Sequence, residues 1–177
     1  MKKLKTDRLI LRGFKMDDLE DLFEYAKLDT VGPHAGWMPH PSLEHSKRIL
    51  SHFIESDDVW AIELEKESKV IGSIGLHLTK LNNRDKIHEL GYVLSTKYEN
   101  HGYMREAVKA VLEYAFNELQ LEEIYVGHFI ENKKSQKLIS YFNFEYLNDE
   151  EYESRDYGLK KSKIYVMKRN EYIKEEK

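Results

Sequence analysis

After Met104 the apolar residues Ala107, Val108, Val111, Leu112, Ala115, Phe116 and Leu119 recur at intervals of three and four, a spacing that predicts one amphipathic helix over 104–119. Upstream, Ile87, Glu89, Gly91 and Val93 alternate with His88, Leu90, Tyr92 and Leu94, a run apolar and aromatic enough to read as a mostly buried strand. The polar loop Tyr98-Glu99-Asn100-His101-Gly102-Tyr103 joins the two. Such a junction offers first-turn amides and the helix dipole to an anion, so it can hold a phosphate without a basic side chain. A single glycine before a helix equally marks an ordinary turn, and the loop alone leaves both readings open.

The same patterning divides the rest of the chain. Arg8 to Phe14 alternates weakly and predicts a first strand, and Asp17 and Asp18 suit the opening turn of a helix carrying Leu19, Leu22, Phe23 and Ala26. Val31 to Pro41 holds three prolines and two glycines but also Trp37 and Met38, which predicts a structured loop rather than a linker. Ser42 is placed to cap a helix through Ile49, Leu50, Phe53 and Ile54. Val59–Leu64 and Val70–Thr79 predict an antiparallel hairpin, Ile124–Ile130 a further strand, and Ser135, Leu138, Ile139 and Phe142 a short helix. Phe144–Leu147 and Ser162–Lys168 close the pattern, with the charged run Asn148–Lys163 expected as a solvated hairpin or loop. This order predicts an α/β (α+β) fold: a mixed, mostly antiparallel sheet of about seven strands, helices on both faces, and one clear parallel pair flanking the 104–119 helix. We expect one domain over 1–172 and a free tail over 173–177.

Composition narrows the function classes. The net charge of −4 lacks the basic footprint of a nucleic-acid binder, so no general nucleic-acid partner is expected. Zero cysteines exclude a disulfide scaffold, a thiolate zinc site and a cysteine nucleophile, and are compatible with a cytoplasmic location. His34, His40 and His45 show no ligand spacing tied to a carboxylate, so no metal is expected; His34 and His40 either meet an acidic group or are solvated. The N-terminal run lacks a signal-peptide pattern, and no segment approaches the roughly 20 apolar residues of a membrane span.

Four motifs in order resemble the GNAT superfamily of acyl-CoA-dependent N-acetyltransferases, and within it the branch of the ribosomal-protein N-terminal (alanine/serine) acetyltransferases. They are Thr6-Asp7-Arg8-Leu9-Ile10-Leu11-Arg12; Glu89-Leu90-Gly91-Tyr92; Gly102-Tyr103-Met104-Arg105-Glu106-Ala107; and Asn132 with Ser135, followed by Asn143-Phe144. The resemblance implies the GNAT fold, with its central parallel strands splayed between Leu94 and Ile124. It implies acetyl-CoA as cosubstrate and an amine acceptor, either a protein N-terminus or a small amine, on a monomer or a homodimer. The pyrophosphate is then expected on the amides of Asn100, His101, Gly102, Tyr103, Met104 and Arg105. The pantetheine is expected along Tyr92, Val93 and Leu94, and its sulfur near Asn132 and Ser135.

Among catalytic candidates, the resemblance makes Glu89 either the base that takes the amine proton or a binder of a cationic substrate. Ser135 is a donor to the departing thiolate, while Asn132 also serves as a helix N-cap. Trp37 either covers the acceptor or anchors its own loop. Four positions depart from the family pattern. Glu99 brings an acidic group to the phosphate loop, Met104 replaces a small residue, and Ile139 stands where many members carry a tyrosine acid. Asn143 replaces a glycine, although asparagine tolerates the left-handed conformation that such a turn needs. Tyr141 falls on another helix face than Ser135. A different class of function, a non-catalytic acyl-CoA-binding or interaction module, is the alternative.

Overall fold

A computed structural model of the chain describes residues 1–81 and 84–175, with side chains described for 1–79 and 87–172. The strands are β1 (Leu4–Lys5), β2 (Leu9–Gly13), β3 (Val59–Leu64), β4 (Lys69–Leu81), β5 (Arg84–Leu94), β6 (Glu123–Phe129), β7 (Glu145–Ser154) and β8 (Gly158–Lys168). The α-helices are α1 (Leu19–Ala26), α2 (Leu43–Ser56), α3 (Tyr103–Glu113), α4 (Lys133–Tyr141) and α5 (Arg169–Glu175). The strands form one mixed sheet in the order β1-β2-β3-β4-β5-β6-β8-β7, and the parallel pair is β5–β6. Two compact units are distinguishable, residues 1–75 with 92–111, and residues 76–91 with 112–177.

In the first unit, β3 is apolar on both faces, with Val59, Trp60, Ala61, Ile62 and Leu64 all buried. Leu22, Tyr25 and Ala26 of α1 and Leu50 of α2 pack with Val59, Ala61 and Val70 into one core, against which Trp37, Phe53 and Val93 also lie. Ser42 caps α2 as its position predicts, its hydroxyl accepting from the His45 amide at 3.2 Å. Where β2 meets α1, the Arg12 guanidinium donates twice to Asp18, both at 2.8 Å, and its Nε to Glu63 at 2.5 Å, while the Lys15 amide also donates to Asp18. The hydrogen bonds to Asp18 outweigh burial and hold Arg12 in its charged form.

The Val31–Pro41 loop is folded onto this core. A Cβ on Gly32 would stand 2.5 Å from the Trp37 ring and 2.6 Å from its carbonyl oxygen, so only glycine admits the indole there. His40 is buried rather than solvated: its Nδ1 lies 2.7 Å from the Ser46 hydroxyl, and its amide donates to the Ala26 carbonyl at 2.9 Å. His34 is exposed.

The second unit is built on β6, β8 and β7, antiparallel to one another, with Ile87, Tyr125, Ile164 and Val166 as a small apolar cluster. Two elements differ from the sequence expectation, and a third takes one of the two forms it allowed. The helix expected over 104–119 ends as an α-helix at Glu113 and continues as a π-helical turn over Tyr114–Glu118, where the Leu119 amide bonds the Tyr114 carbonyl five residues back. The wider turn accompanies complete burial of the neighbours Ala115 and Phe116, the latter with its ring 5.0 Å from Tyr172. The charged run after Asn148 is a fully paired hairpin whose two strands carry opposite charges, as in Lys163 to Asp149 at 2.9 Å. Helix α5 occupies 169–175 where a free end is expected from 173 onward; residues 176 and 177 lie outside the described residues. Among the described residues, no helix is long and apolar enough to cross a membrane.

Removing Asp18 takes away the carboxylate that accepts from both terminal nitrogens of Arg12 and leaves the guanidinium with Glu63 as its one carboxylate among the described residues. Asp18 is 3% exposed, so Asp18→Ala should cost about 3–5 kcal/mol of stability, read as a lower urea midpoint. Gly72→Ala places a Cβ 2.4 Å from the Val93 carbonyl oxygen, a backbone atom that cannot step aside. It should lower stability by about 1–3 kcal/mol in the same measurement.

Candidate active site

The phosphate-loop candidates belong to the first unit. Asn100 and Gly102 are left-handed, with φ of 64° and 81°, and the amide of Glu106 closes the first α3 bond on the Gly102 carbonyl at 3.1 Å. The amides of Tyr103, Met104 and Arg105 are thus first-turn donors with no partner four residues back. Two residues of the opening motif hold this turn in place. Thr6 Oγ1 donates to Glu106 at 2.5 Å, and the Arg8 amide and Nε donate to the same carboxylate at 2.8 and 2.7 Å. Arg8 Nη1 also donates to the His101 carbonyl at 2.9 Å, and its guanidinium carbon stands 4.5 Å over the Tyr103 ring, which stacks with His101. Burial alone would raise the Glu106 carboxyl, but the Thr6 and Arg8 hydrogen bonds outweigh it and hold it below the usual carboxylate range. Because a peptide unit is planar and trans, a His101 carbonyl drawn to Arg8 turns the Gly102 N–H to the opposite side. These contacts were not foreseen, although Thr6, Arg8 and Glu106 all stand in the motifs that carry the resemblance.

Tyr92, Val93 and Leu94 form the end of β5, and the close approach of Gly72 to Val93 and Leu94 seats this end against β4. Beyond it, the Ser95 amide donates to the Ile71 carbonyl at 2.8 Å. Glu99 offers its backbone carbonyl to His101 Nδ1 at 2.7 Å, and Met104 is half-buried at the start of α3.

Glu89, Asn132 and Ser135 belong to the second unit. Glu89 on β5 pairs with Tyr125 on β6, and its Oε1 lies 3.9 Å from where a Cβ on Gly127 would stand. Glycine at 127 thus leaves the space beside the carboxylate open. Burial raises the Glu89 carboxyl above its ordinary range; His77 opposes that shift and Glu150 reinforces it. Tyr152 is also raised, by burial and then by the Glu89 charge. Position 91 is flanked by the His77 ring, 3.5 Å from a Cβ built there. The surroundings of Glu89 therefore come from β4, β6 and β7, through pairings too distant in sequence to leave a local pattern.

Asn132 is the N-cap of α4, its Oδ1 accepting from the Ser135 amide at 3.0 Å while its own amide donates to the Phe129 carbonyl at the end of β6 at 2.8 Å. Ser135 is buried in the first turn. Four residues on, Ile139 is buried at 2% exposure, whereas Tyr141 is 56% exposed on another face. Asn143 adopts φ of 56°, the left-handed conformation for which asparagine substitutes for glycine.

The acetyltransferase (GNAT) domain model matches residues 8–145. The uncharacterized N-acetyltransferase YoaA of Bacillus subtilis (strain 168) is 28% identical over 172 residues, covering 89% of this chain and 96% of the relative. Among solved structures, the ribosomal-protein-S5-alanine acetyltransferase of Vibrio fischeri superposes with a TM-score of 0.76 at 17% identity, over 97% of this chain and 99% of that one. The microcin C7 self-immunity acetyltransferase MccE, solved in complex with acetyl-CoA and AMP, gives 0.77 at 14% identity, over 92% and 93%. With the domain match spanning most of its length and both halves of its motif set on one fold, the chain belongs to the GNAT family of N-acetyltransferases.

Proposed function

We propose that the protein transfers an acetyl group from acetyl-CoA to a primary amine, by direct attack in a ternary complex and in a cytoplasmic setting. The observation that carries this reading is Glu89, a half-buried carboxylate whose proton affinity is raised and beside which Gly127 leaves open space. An amine arrives as an ammonium and attacks only when neutral, so a base with raised affinity is suited to accept that proton near neutral pH. In the transfer, the amine nitrogen bonds to the thioester carbonyl carbon and the carbon–sulfur bond breaks. The ammonium proton passes to Glu89, directly or through water; the second proton that the nitrogen sheds as the amide forms leaves to solvent, and the thiolate takes a proton from the Ser135 hydroxyl, which solvent replaces.

The remaining residues bind. The amides of Asn100 to Arg105 suit the pyrophosphate, in a turn whose shape Arg8 and Glu106 maintain. Tyr92, Val93 and Leu94 offer backbone groups to the pantetheine amides, and Asn132 orients the sulfur end through its cap on Ser135. Trp37 is assigned to the acceptor side, in addition to anchoring its loop. Acetyl-CoA as cosubstrate draws support from the family and from the acetyl-CoA complex of MccE. A second reading, an acyl-CoA-binding module without turnover, is favoured by buried Ile139 at the position of the family's tyrosine acid. Thiol release from acetyl-CoA over a panel of peptides and amines separates the two: turnover of any acceptor defeats the module, and tight CoA binding with no turnover on any acceptor defeats the enzyme.

Glu89→Gln should lower kcat by about a hundredfold while leaving CoA affinity within about twofold. In the native protein the rate should fall as pH drops through the raised Glu89 pKa and protonates the base, and the substitution should abolish that acid limb. An unchanged pH profile would remove Glu89 as base. Gly102→Val forces a β-branched residue to φ of 81°. It should weaken CoA binding by about tenfold in titration calorimetry, as a strained turn loses its amide geometry.

A further inference from the structure

We propose that Glu150 and Tyr152 on β7, with Phe129 on β6, form a second half of the acceptor site and select an amine that carries a second cationic group. The inference rests on the assignment of Glu89 to the reacting amine.

Strand register puts these side chains on one face. Glu89 stands opposite Tyr125, Gly127 opposite Ile164, and Phe129 opposite Ser162, which in turn stands opposite Glu150; Tyr152 follows two residues on, opposite Lys160. Residues opposite one another across a ladder share a face, and residues two apart along a strand return to it. Glu89, Gly127, Phe129, Glu150 and Tyr152 therefore project to the same side of the sheet. Asp149 and Glu151, together with Lys161 and Lys163 opposite them, project to the other side, where Lys163 is engaged by Asp149.

The chemistry of this face is two carboxylates and two aromatic rings. Tyr152 packs on Phe129 with ring centroids 6.1 Å apart, yet remains 46% exposed, so an aromatic surface is presented beside Glu150. The lysines of β8 on this side are Lys160, drawn to Glu131 at 3.8 Å and over the Tyr157 ring, and Lys168 at the other end of the strand, drawn to Glu145 at 3.7 Å. Among the described residues, neither Glu89 nor Glu150 has an ion-pair partner, and the Glu150 carboxylate disfavours charge on Glu89. A guest with two positive centres relieves that repulsion. Glu89 meets the reacting ammonium, Glu150 meets the second cation, and the aromatic pair covers the hydrocarbon between them. An amine with a carboxylate in the second place meets repulsion instead.

Titration calorimetry on the full chain saturated with CoA tests this, with putrescine, hexamethylenediamine and butylamine as probes. The better diamine should bind about tenfold more tightly than butylamine to the native protein. Glu150→Gln should bring the two within about twofold, while Glu151→Gln, on the opposite face, should preserve the gap. Equal binding of diamine and monoamine to the native chain overturns the proposal, as does a gap that survives Glu150→Gln. The catalytic reading is tested separately, because a diamine gap with no thiol release from acetyl-CoA defeats turnover and leaves the subsite standing.

Discussion

The grip of Glu106 on Thr6 and Arg8 is the contact on which the turn before α3 depends. One carboxylate in the first turn of α3 accepts from a threonine hydroxyl, a backbone amide and a guanidinium, and so fastens the start of the chain to a helix about a hundred residues later. Arg8 Nη1 then donates to the His101 carbonyl, while Nη2 stands with Nε on the Glu106 carboxylate. The consequence is electrostatic as well as mechanical. A phosphate-binding turn works by presenting N–H groups without intervening carbonyls, and an arginine that claims the carbonyl side leaves the amide side for the anion. The carboxylate at the helix start also sets acidic charge against the positive end of the dipole, where it is stabilising.

Glu89 is held by a different device. It sits on a strand rather than a loop, with glycine at 127 on the neighbouring strand and a histidine beside Gly91 on the other side. A rigid strand fixes the position of the carboxylate, and the missing side chain supplies space. Burial raises its proton affinity, a property suited to the base proposed above. Asn132 contributes in the same economical way, since capping α4 and tying it to the end of β6 also fixes the position of Ser135.

How much of this was legible depended on the range of the interaction. Elements with a long regular period were readable: β3 spans the predicted Val59–Leu64, Ser42 caps α2, and the apolar stripe after Met104 is a helix face. β1 has two residues, too few for any period to register. The π-helical turn at Tyr114–Glu118 escapes a pattern search because one wide turn shifts the apolar stripe by less than a residue. The β7–β8 hairpin lies where the sequence predicts a solvated hairpin or loop; most of β7 is exposed and carries acids on both faces, so no apolar period marks it as a strand. In the candidate site, the motifs single out Glu89, Ser135 and the turn before α3, but not the neighbours of Glu89. Those come from three other strands, and no local spacing encodes them. His40 was misjudged for a related reason: a histidine in a proline-rich loop looks exposed until the loop folds back onto Ser46.

The register shift in β7 between Tyr146 and Asn148 has a consequence of its own. Leu147 is the extra residue of a bulge, and every side chain beyond it is displaced by one position relative to β8. Were Leu147 taken into the ladder instead of bulged out, the pairing would run in phase from Glu145, bringing Asp149 opposite Ser162 and Glu151 opposite Lys160, and turning Glu150 and Tyr152 to the far side. Which of the two alternating sets of β7 side chains shares a face with Glu89 is therefore decided by one residue being held out of the pairing, and not by the identity of any side chain on that face.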